Sequence, residues 1–463
     1  MSSRFELCAG RDAAHGIIVT SLRGVEEISR PFSFRVTFRS PATDLESELL
    51  GADARLTIRG AGGARTVAGI VASIRMLRPL ASSEGAIYRA RIAPRLWTLG
   101  LSRNSRIFQE MTVPDIVDAV LAEHGIDRSF RTVREYPARA YCVQYEESDL
   151  AFISRIAAEE GIFFHLGAHA EGGELPREIV VFADDPSGYD PIAGATALRY
   201  RERDGMARPG EHVESFAMRR RVRPAAARLT GFDFRRPTTR LTAEAGAASQ
   251  PRVYEHGMDF STWGVSEEAA RVHLEQHRAG HVVGEGDSRC VRLLPGAWFS
   301  LEDHPRSDLD RRFAAIRVEH WGHVPEAGDE SEDVYRNRFL CVPADVSARP
   351  ARPRPRIRQI VETATVVGPP GEEIHTDEHG RVKVWFHWDR QGAGDDRSST
   401  WIRVLQPWAG SAWGAQFIPR VGMEVVVTFP YPFLRDKLGD PQRRAEIQDA
   451  LSEALGLACR TCQ

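Results

Sequence analysis

His375, Glu378 and His379 make an H-x-x-E-H run, the pattern in which an inverted zincin holds zinc on two imidazoles and uses the glutamate as general base. That chemistry needs a helix, so that both rings leave one face. Here Gly380 follows at once, and Arg381 to Trp388 alternates as a strand does. The run therefore reads as a hairpin turn over 377–380, and no metal is expected on it. His273, His277 and His281 recur every four residues along a helix predicted from a cap at Ser266 to a stop at Gly280. Two imidazoles could share its face, but no carboxylate or cysteine is identifiable as a third ligand, so a solvated face is expected. Cys459 and Cys462 form a CxxC with no second pair and no βαβ context, and the six cysteines are too scattered for a disulfide framework.

Glu147, Asp149 and Arg155 are the remaining charged constellation. As a catalytic cluster they would work on a substrate. As architecture, Ser148 and Asp149 would cap a helix, and Arg155 would pair with an acidic neighbour on that helix or an adjacent domain. The second reading is the expectation. No GxSxG, P-loop or dinucleotide fingerprint is present, so no catalytic residue, cofactor or enzymatic activity is expected.

The elements that must position these residues are mostly strands. Residues 16–20, 32–38, 55–58, 69–74 and 86–92 alternate apolar and polar positions between glycine-rich breaks, as in an antiparallel barrel or sandwich. Thr112-Val113-Pro114-Asp115 opens a helix with Ile116, Val117, Val120 and Leu121 on one face, stopping at Gly125. A second helix starts near Ser148 and Asp149, turns Leu150, Ile153, Ile156 and Ala157 inward and ends at Gly161. Strands return at 178–182, 211–216 and 312–318.

The chain thus reads as a first β domain (1–100), a helical insertion (101–173), a second β domain with one helix (174–345), a Pro/Arg-rich linker (346–358), a small β-barrel (359–429) and a divergent helical or disordered tail (430–463). The fold class is mainly β with α insertions. Composition is ordinary for a globular protein, with 42% apolar residues, 27% charged residues and a net charge of −3. All but two of the 61 basic residues are arginine, Lys383 and Lys437 being the lysines. The near-neutral total offers no electrostatic case for nucleic acid or an anionic membrane. No basic n-region leads into an apolar stretch at the start, so no signal peptide is expected and cytoplasmic assembly is. Five of nine tryptophans (Trp385, Trp388, Trp401, Trp408, Trp413) crowd into the small barrel, where they need a packed sheet or an interface.

Read in order, LWTLGLSRNSRIFQEMTVPDIVDAVL (96–121), YCVQYEESDLAFISRIAAEEGIFFH (141–165), LPGAWFSLEDHP (294–305), YRNRFLCVPA (335–344) and the tryptophan-rich block resemble the VgrG family, the spike proteins of type VI secretion systems. The resemblance covers 15–429. It implies phage-tail-hub-like β-barrel domains followed by an OB-fold that joins the hub to a needle. It also implies a homotrimer seated on the Hcp tube, with sheath or baseplate components and effectors or adaptor proteins as partners. The target membrane would be touched only transiently, and export would use the secretion apparatus. On the matching motifs it marks structural or interface residues: Arg106, Phe108, Gln109, Gln144, Tyr145, Ser148, Asp149 and Arg155 in the hub. In the small barrel it marks Gly380, Arg381, Trp388, Trp401, Arg403, Gln406, Trp413, Gly414, Pro419, Arg420 and Gly422.

After Phe429 the sequence departs from that family. The closing strand and the C-terminal β-helix needle are absent, and a helical pattern follows Asp440 and Pro441. A disrupted gene leaving a non-functional remnant and a short member served by a separate needle chain are the two readings, the first preferred. Weak or absent binding of the PAAR tip protein is the corresponding expectation. A spike-associated hydrolase or an OB-fold nucleic-acid binder are the other classes considered. The acidic residues around the tryptophans (Asp377, Glu378, Asp389, Asp395, Asp396) argue against the latter.

Overall fold

A computed structural model describes residues 4–10, 16–80, 85–169, 177–202, 210–247, 251–258, 267–325, 334–352, 361–410 and 413–428. The alternation seen in the sequence becomes a two-faced strand wherever it occurs. In Arg30–Ser40, Phe32, Phe34, Val36 and Phe38 are buried while Arg35 and Arg39 face solvent. Each of these buried side chains contributes roughly 1.5–3 kcal/mol of transfer free energy.

One thirteen-stranded sheet carries most of the chain. Its neighbours run Phe5–Ala9, Asp53–Gly60, Gly63–Pro79, Ala86–Ala93, Arg30–Ser40, Ile18–Glu27, Arg312–His323, Val334–Pro343, Val282–Ser288 and Val213–Arg220. Ala297–Glu302 adds beside Arg312–His323 and takes Asp190–Pro191 and Ala197–Arg199 in parallel. Ile18–Glu27 pairs with Arg312–His323 from Ser21 opposite His323 to Glu27 opposite Arg317. Strands of the first hundred residues and strands of 174–345 therefore belong to one sheet. The stretch 211–216 enters its strand only at Val213, because the Glu211 carboxylate is taken by Arg292 at 2.7 Å and by the backbone N–H of Val291.

Between these strands sits the helical insertion. Thr112 accepts the Asp115 N–H while the Asp115 carboxylate accepts the Thr112 N–H, a reciprocal cap with Pro114 in the first turn. The helix Val113–Glu123 buries Val113, Ile116, Val117, Val120 and Leu121, and Gly125 at φ +61° turns the chain away. Ser148 caps Asp149–Glu159 by accepting the Ala151 N–H. Phe152, Ile153, Ile156 and Ala157 of that helix are buried, whereas Leu150 is half-buried at the edge of the same cluster.

The helix Glu267–Arg278 lies on a three-stranded sheet of Leu241–Gly246, Ala226–Gly231 and Arg252–Met258. Its expected cap Ser266 lies outside the described residues. His277 and His281 are exposed, but the expected solvated face does not extend to His273. His273 is buried beside Leu274 and Gln276, with its ring 4.6 Å from that of His277 and its Nε2 3.1 Å from the Glu255 carboxylate. The stripe pressed against the sheet is wide enough to include it.

After the hub, the chain is stitched down before it leaves. Arg349 is buried, donating to the Gly161 carbonyl and to Glu275, and the Tyr189 hydroxyl bridges Val346 and Ala348. Residues 353–358 of the predicted linker and the whole tail 430–463, with Cys459 and Cys462, lie outside the described residues. In the small barrel, Val361–Val367 pairs with Lys383–Phe386 on one side and Glu424–Thr428 on the other. The apolar run at 400–405 forms no regular strand, which corrects the sequence reading. Only Ile402 bridges, to Val382, because the residues that would extend the ladder turn outward, Leu405 being 79% exposed.

Candidate functional site

Two arginine-centred clusters and one aromatic seam join the helical insertion to the small barrel. Arg106 stands on Arg103–Phe108, which pairs with Cys142–Ser148. Its guanidinium donates to Gln144 Oε1 at 2.8 Å, to both oxygens of Glu123 at 2.8 and 2.7 Å, and to Asp149 Oδ1 at 3.3 Å. Asp149 also accepts from Gln144 at 2.7 Å and Asn104 at 2.9 Å, and lies 2.9 Å from His124 Nε2. Arg106, Gln144 and Asp149 are all buried. Burial alone would raise the Asp149 carboxyl, but the bonds from Gln144, Asn104 and His124 and the charge of Arg106 outweigh it and hold the group below its ordinary range. The second cluster follows one turn on. Arg155 holds Glu147 at 2.9 Å and Glu159 at 3.1 Å, and Arg139 holds Glu159 and Glu160. Each charge is consumed internally. The residues weighed as a catalytic cluster form a clamp.

The outer side of that clamp faces the barrel. Ile107 packs into the barrel core formed by Ala364, Val366, Val382, Val384, Phe386 and Val427. Gln109 donates to the Arg397 carbonyl at 2.5 Å. The Tyr145 hydroxyl bonds Glu362, and its ring meets Trp388 edge-on at 5.4 Å while Trp388 stacks on Phe386 at 5.1 Å. Phe108 stacks on Phe152 beneath the Arg106 guanidinium. A left-handed Glu146, at φ +45°, allows the register shift that turns Tyr145 outward.

The H-x-x-E-H run is the turn the sequence indicates. Asp377 accepts the His379 and Arg381 N–H groups and the Arg381 guanidinium at 2.6 Å, and Gly380 takes φ +66°. His375 bonds Glu372 and lies over Trp401, whose other neighbour is the Lys383 ammonium at 5.1 Å. His379 meets the ring of Phe234, and Arg381 and Arg403 stand 5.5 and 5.2 Å from the same ring. Phe234 comes from the hub and was not singled out from sequence. An aromatic among arginines in Gly-Phe-Asp-Phe-Arg-Arg (231–236) was the available signal.

The other marked residues shape the barrel itself. Gln406 bonds both the N–H and the carbonyl of Phe417. Gly414 (φ +137°) and Trp413 form the short pair with Ala409–Gly410. Half-buried Pro419 leads to Arg420, paired with Glu373, and to Gly422 at φ +88°. Trp408 and Trp413 meet edge-to-face at 5.2 Å and remain 66% and 57% exposed, with Leu405 and Phe417 also exposed.

One carboxylate stands apart. Glu178 accepts the backbone N–H groups of Arg95 (2.6 Å) and Leu96 (3.2 Å). Burial, with the nearby Asp127 charge, outweighs those donors and pushes its carboxyl up to about 7. A folded pKa above the unfolded one means stability falls as pH rises from about 4.5 to 7 and is level beyond. Relative to wild type, Glu178→Gln should lose that descent, read as the difference between urea midpoints at pH 5 and pH 8. An unchanged difference would refute the assignment.

Residues 25–326 match the model of the phage tail baseplate hub (GPD), and residues 372–435 match that of the type VI secretion system/phage-baseplate injector OB domain. The Pseudomonas aeruginosa type VI secretion system spike protein VgrG4b is 37% identical over 90% of this chain and 53% of its own length. The chain thus spans about half the length of that relative. Among solved structures, the Escherichia coli c3393 protein, described as a type VI secretion component similar to T4 tail proteins gp27 and gp5, aligns with a TM-score of 0.67 at 24% identity, over 95% of this chain and 98% of that one. A Francisella PdpA–VgrG complex aligns at 0.55 with 8% identity, over 89% and 65%. These likenesses fit the mainly β hub fold with its OB domain. The chain belongs to the VgrG family of type VI secretion spike proteins, whose hub it shares with phage tail baseplates.

Proposed function

We propose that this chain is a structural, non-enzymatic hub of a type VI spike, assembling as a homotrimer on an Hcp tube and leaving the cell through the secretion apparatus. The observation that carries the reading is the exposed apolar face of the barrel, where Trp408, Trp413, Leu405 and Phe417 stand in solvent on one chain. Large exposed indoles in a monomer mark an interface. Burying each would contribute about 2–4 kcal/mol before association costs. The internal use of every charge in the clamp supports a mechanical rather than a catalytic role, since a connector must transmit load without its charges seeking solvent. Light scattering on the purified chain should give a trimer, and Trp408→Ser with Trp413→Ser should shift it towards monomer. A wild-type monomer at tens of micromolar, or a trimer indifferent to both substitutions, would overturn the reading.

A further inference from the structure

We propose that the solvent face of the thirteen-stranded sheet, between Gly63–Pro79 and Val334–Pro343, is a docking surface for a protein partner with a carboxylate-rich face. Directly opposed residues in an antiparallel ladder leave the same side of the sheet. Arg336 opposes Trp321, Trp321 opposes Arg23, Arg23 opposes Arg35, and Arg35 opposes Arg91. One register row therefore places four arginines and a tryptophan across five adjacent strands. The next row sets Thr37 opposite Arg89 and Arg89 opposite Arg75. Beyond it, Arg39 and Arg78 flank Ile87.

Strands stand about 4.8 Å apart, and like charges directly opposite one another destabilise a sheet. Here the cost is not relieved internally, for none of these arginines forms an ion pair among the described residues. What they do make is orienting contact. Arg23 and Arg336 lie 5.9 and 5.6 Å from the Trp321 ring, and Arg91 lies 5.0 Å from Trp97 with its Nε bonded to Ser33. Arg89 reaches the Thr37 hydroxyl. The guanidiniums are held by rings and hydroxyls, leaving N–H donors unspent.

The contrast within the same sheet sharpens the point. A few strands on, Arg338 is 3.2 Å from Glu285, and Arg317 is 2.7 Å from Glu319 and 3.2 Å from Glu27. The scaffold neutralises its arginines there and leaves them bare here, in a chain of net charge −3. Guanidinium forks match carboxylates two bonds at a time. Nucleic acid fits less well, because single strands need open aromatic platforms in a groove, and Trp321 is flanked by two guanidiniums on a broad sheet.

The test measures fluorescence anisotropy of a labelled decaglutamate peptide with the full chain at 50–300 mM salt, all as set conditions on the order of the Debye range. Salt-sensitive binding is expected, weakened about tenfold or more in Arg35→Glu with Arg89→Glu and within about twofold in Arg338→Glu. The double variant should melt no lower than wild type, since it turns opposed like charges into opposite ones. Absence of binding, or equal binding by the double variant, would overturn the proposal. So would tighter binding of single-stranded DNA or anionic vesicles than of the peptide, or self-association that the double variant abolishes.

Discussion

Glu26→Leu is expected to destabilise the fold by about 3–5 kcal/mol at pH 7, because it leaves a buried cation without its partner. Glu26 is 5% exposed, 2.6 Å from Arg65 and 2.9 Å from His320 Nε2. His320 Nδ1 lies 2.7 Å from the Tyr335 hydroxyl, which also accepts from Asn337, and Asn337 reaches the Cys290 carbonyl. Burial pushes His320 towards its neutral form. A neutral ring that donates from Nε2 to Glu26 accepts from Tyr335 at Nδ1, so the chain of bonds closes with one ion pair and no stray charge. The four strands it ties are Ile18–Glu27, Gly63–Pro79, Arg312–His323 and Val334–Pro343, which is the join between the early and late parts of the great sheet.

The same carboxylate gives the substitution a pH signature. Burial opposes its ionisation, but the Arg65 charge and the His320 bond win and hold it down at about 2. A depressed folded pKa contributes stability that is present above about 4.5 and lost as pH falls towards 2. Denaturant titrations of wild type and Glu26→Leu should therefore differ most at pH 7 and converge towards pH 3. A gap that is constant with pH would show that the loss is one of packing and not of the ion pair.

What could be read from sequence was whatever depends on near neighbours. The Thr112 cap, the Ser148 cap, the Asp377–Gly380 turn and the alternation of Arg30–Ser40 each need only a few adjacent residues. Pairings that close across the chain leave no such trace. Glu26 and His320 are 294 positions apart, and nothing around either one announces the other. Asp149 was legible as a helix-start residue, and the Ser148 hydroxyl does cap that helix, yet the Asp149 carboxylate turns inward to collect Arg106, Gln144 and Asn104. The sequence motifs named the members of the clamp without showing that they meet. The five tryptophans illustrate the opposite limit. Their crowding signalled a packed sheet or an interface. Only the structure divides them into Trp388 and Trp401, held against rings, and Trp408 and Trp413, left in solvent.

Asp149→Leu should cost about 3–5 kcal/mol as well, but its effect should travel outward to the barrel. The leucine fills the volume and strands three donor groups, of Arg106, Gln144 and Asn104, in a site closed to water. Glu123 still holds the far side of Arg106, so the guanidinium is pulled towards the surface, where the Glu123 side chain is 49% exposed. Arg103–Phe108 and Cys142–Ser148 then lose the tie that sets their pairing across the bulge at Glu146. Those two strands present Ile107 and Tyr145 to the barrel, and the chain just beyond the first presents Gln109. Loosening them should speed amide hydrogen exchange at Val384–Phe386, on the barrel side of the seam, while the strands around Glu26 keep wild-type protection. Tyr145→Phe removes only the bond to Glu362 and keeps the ring against Trp388, so it should cost no more than about 1 kcal/mol and leave the hub untouched. If Asp149→Leu loosened the hub and left the barrel's exchange unchanged, the clamp would be a stabiliser of the insertion alone and not the element that fixes the barrel's seat.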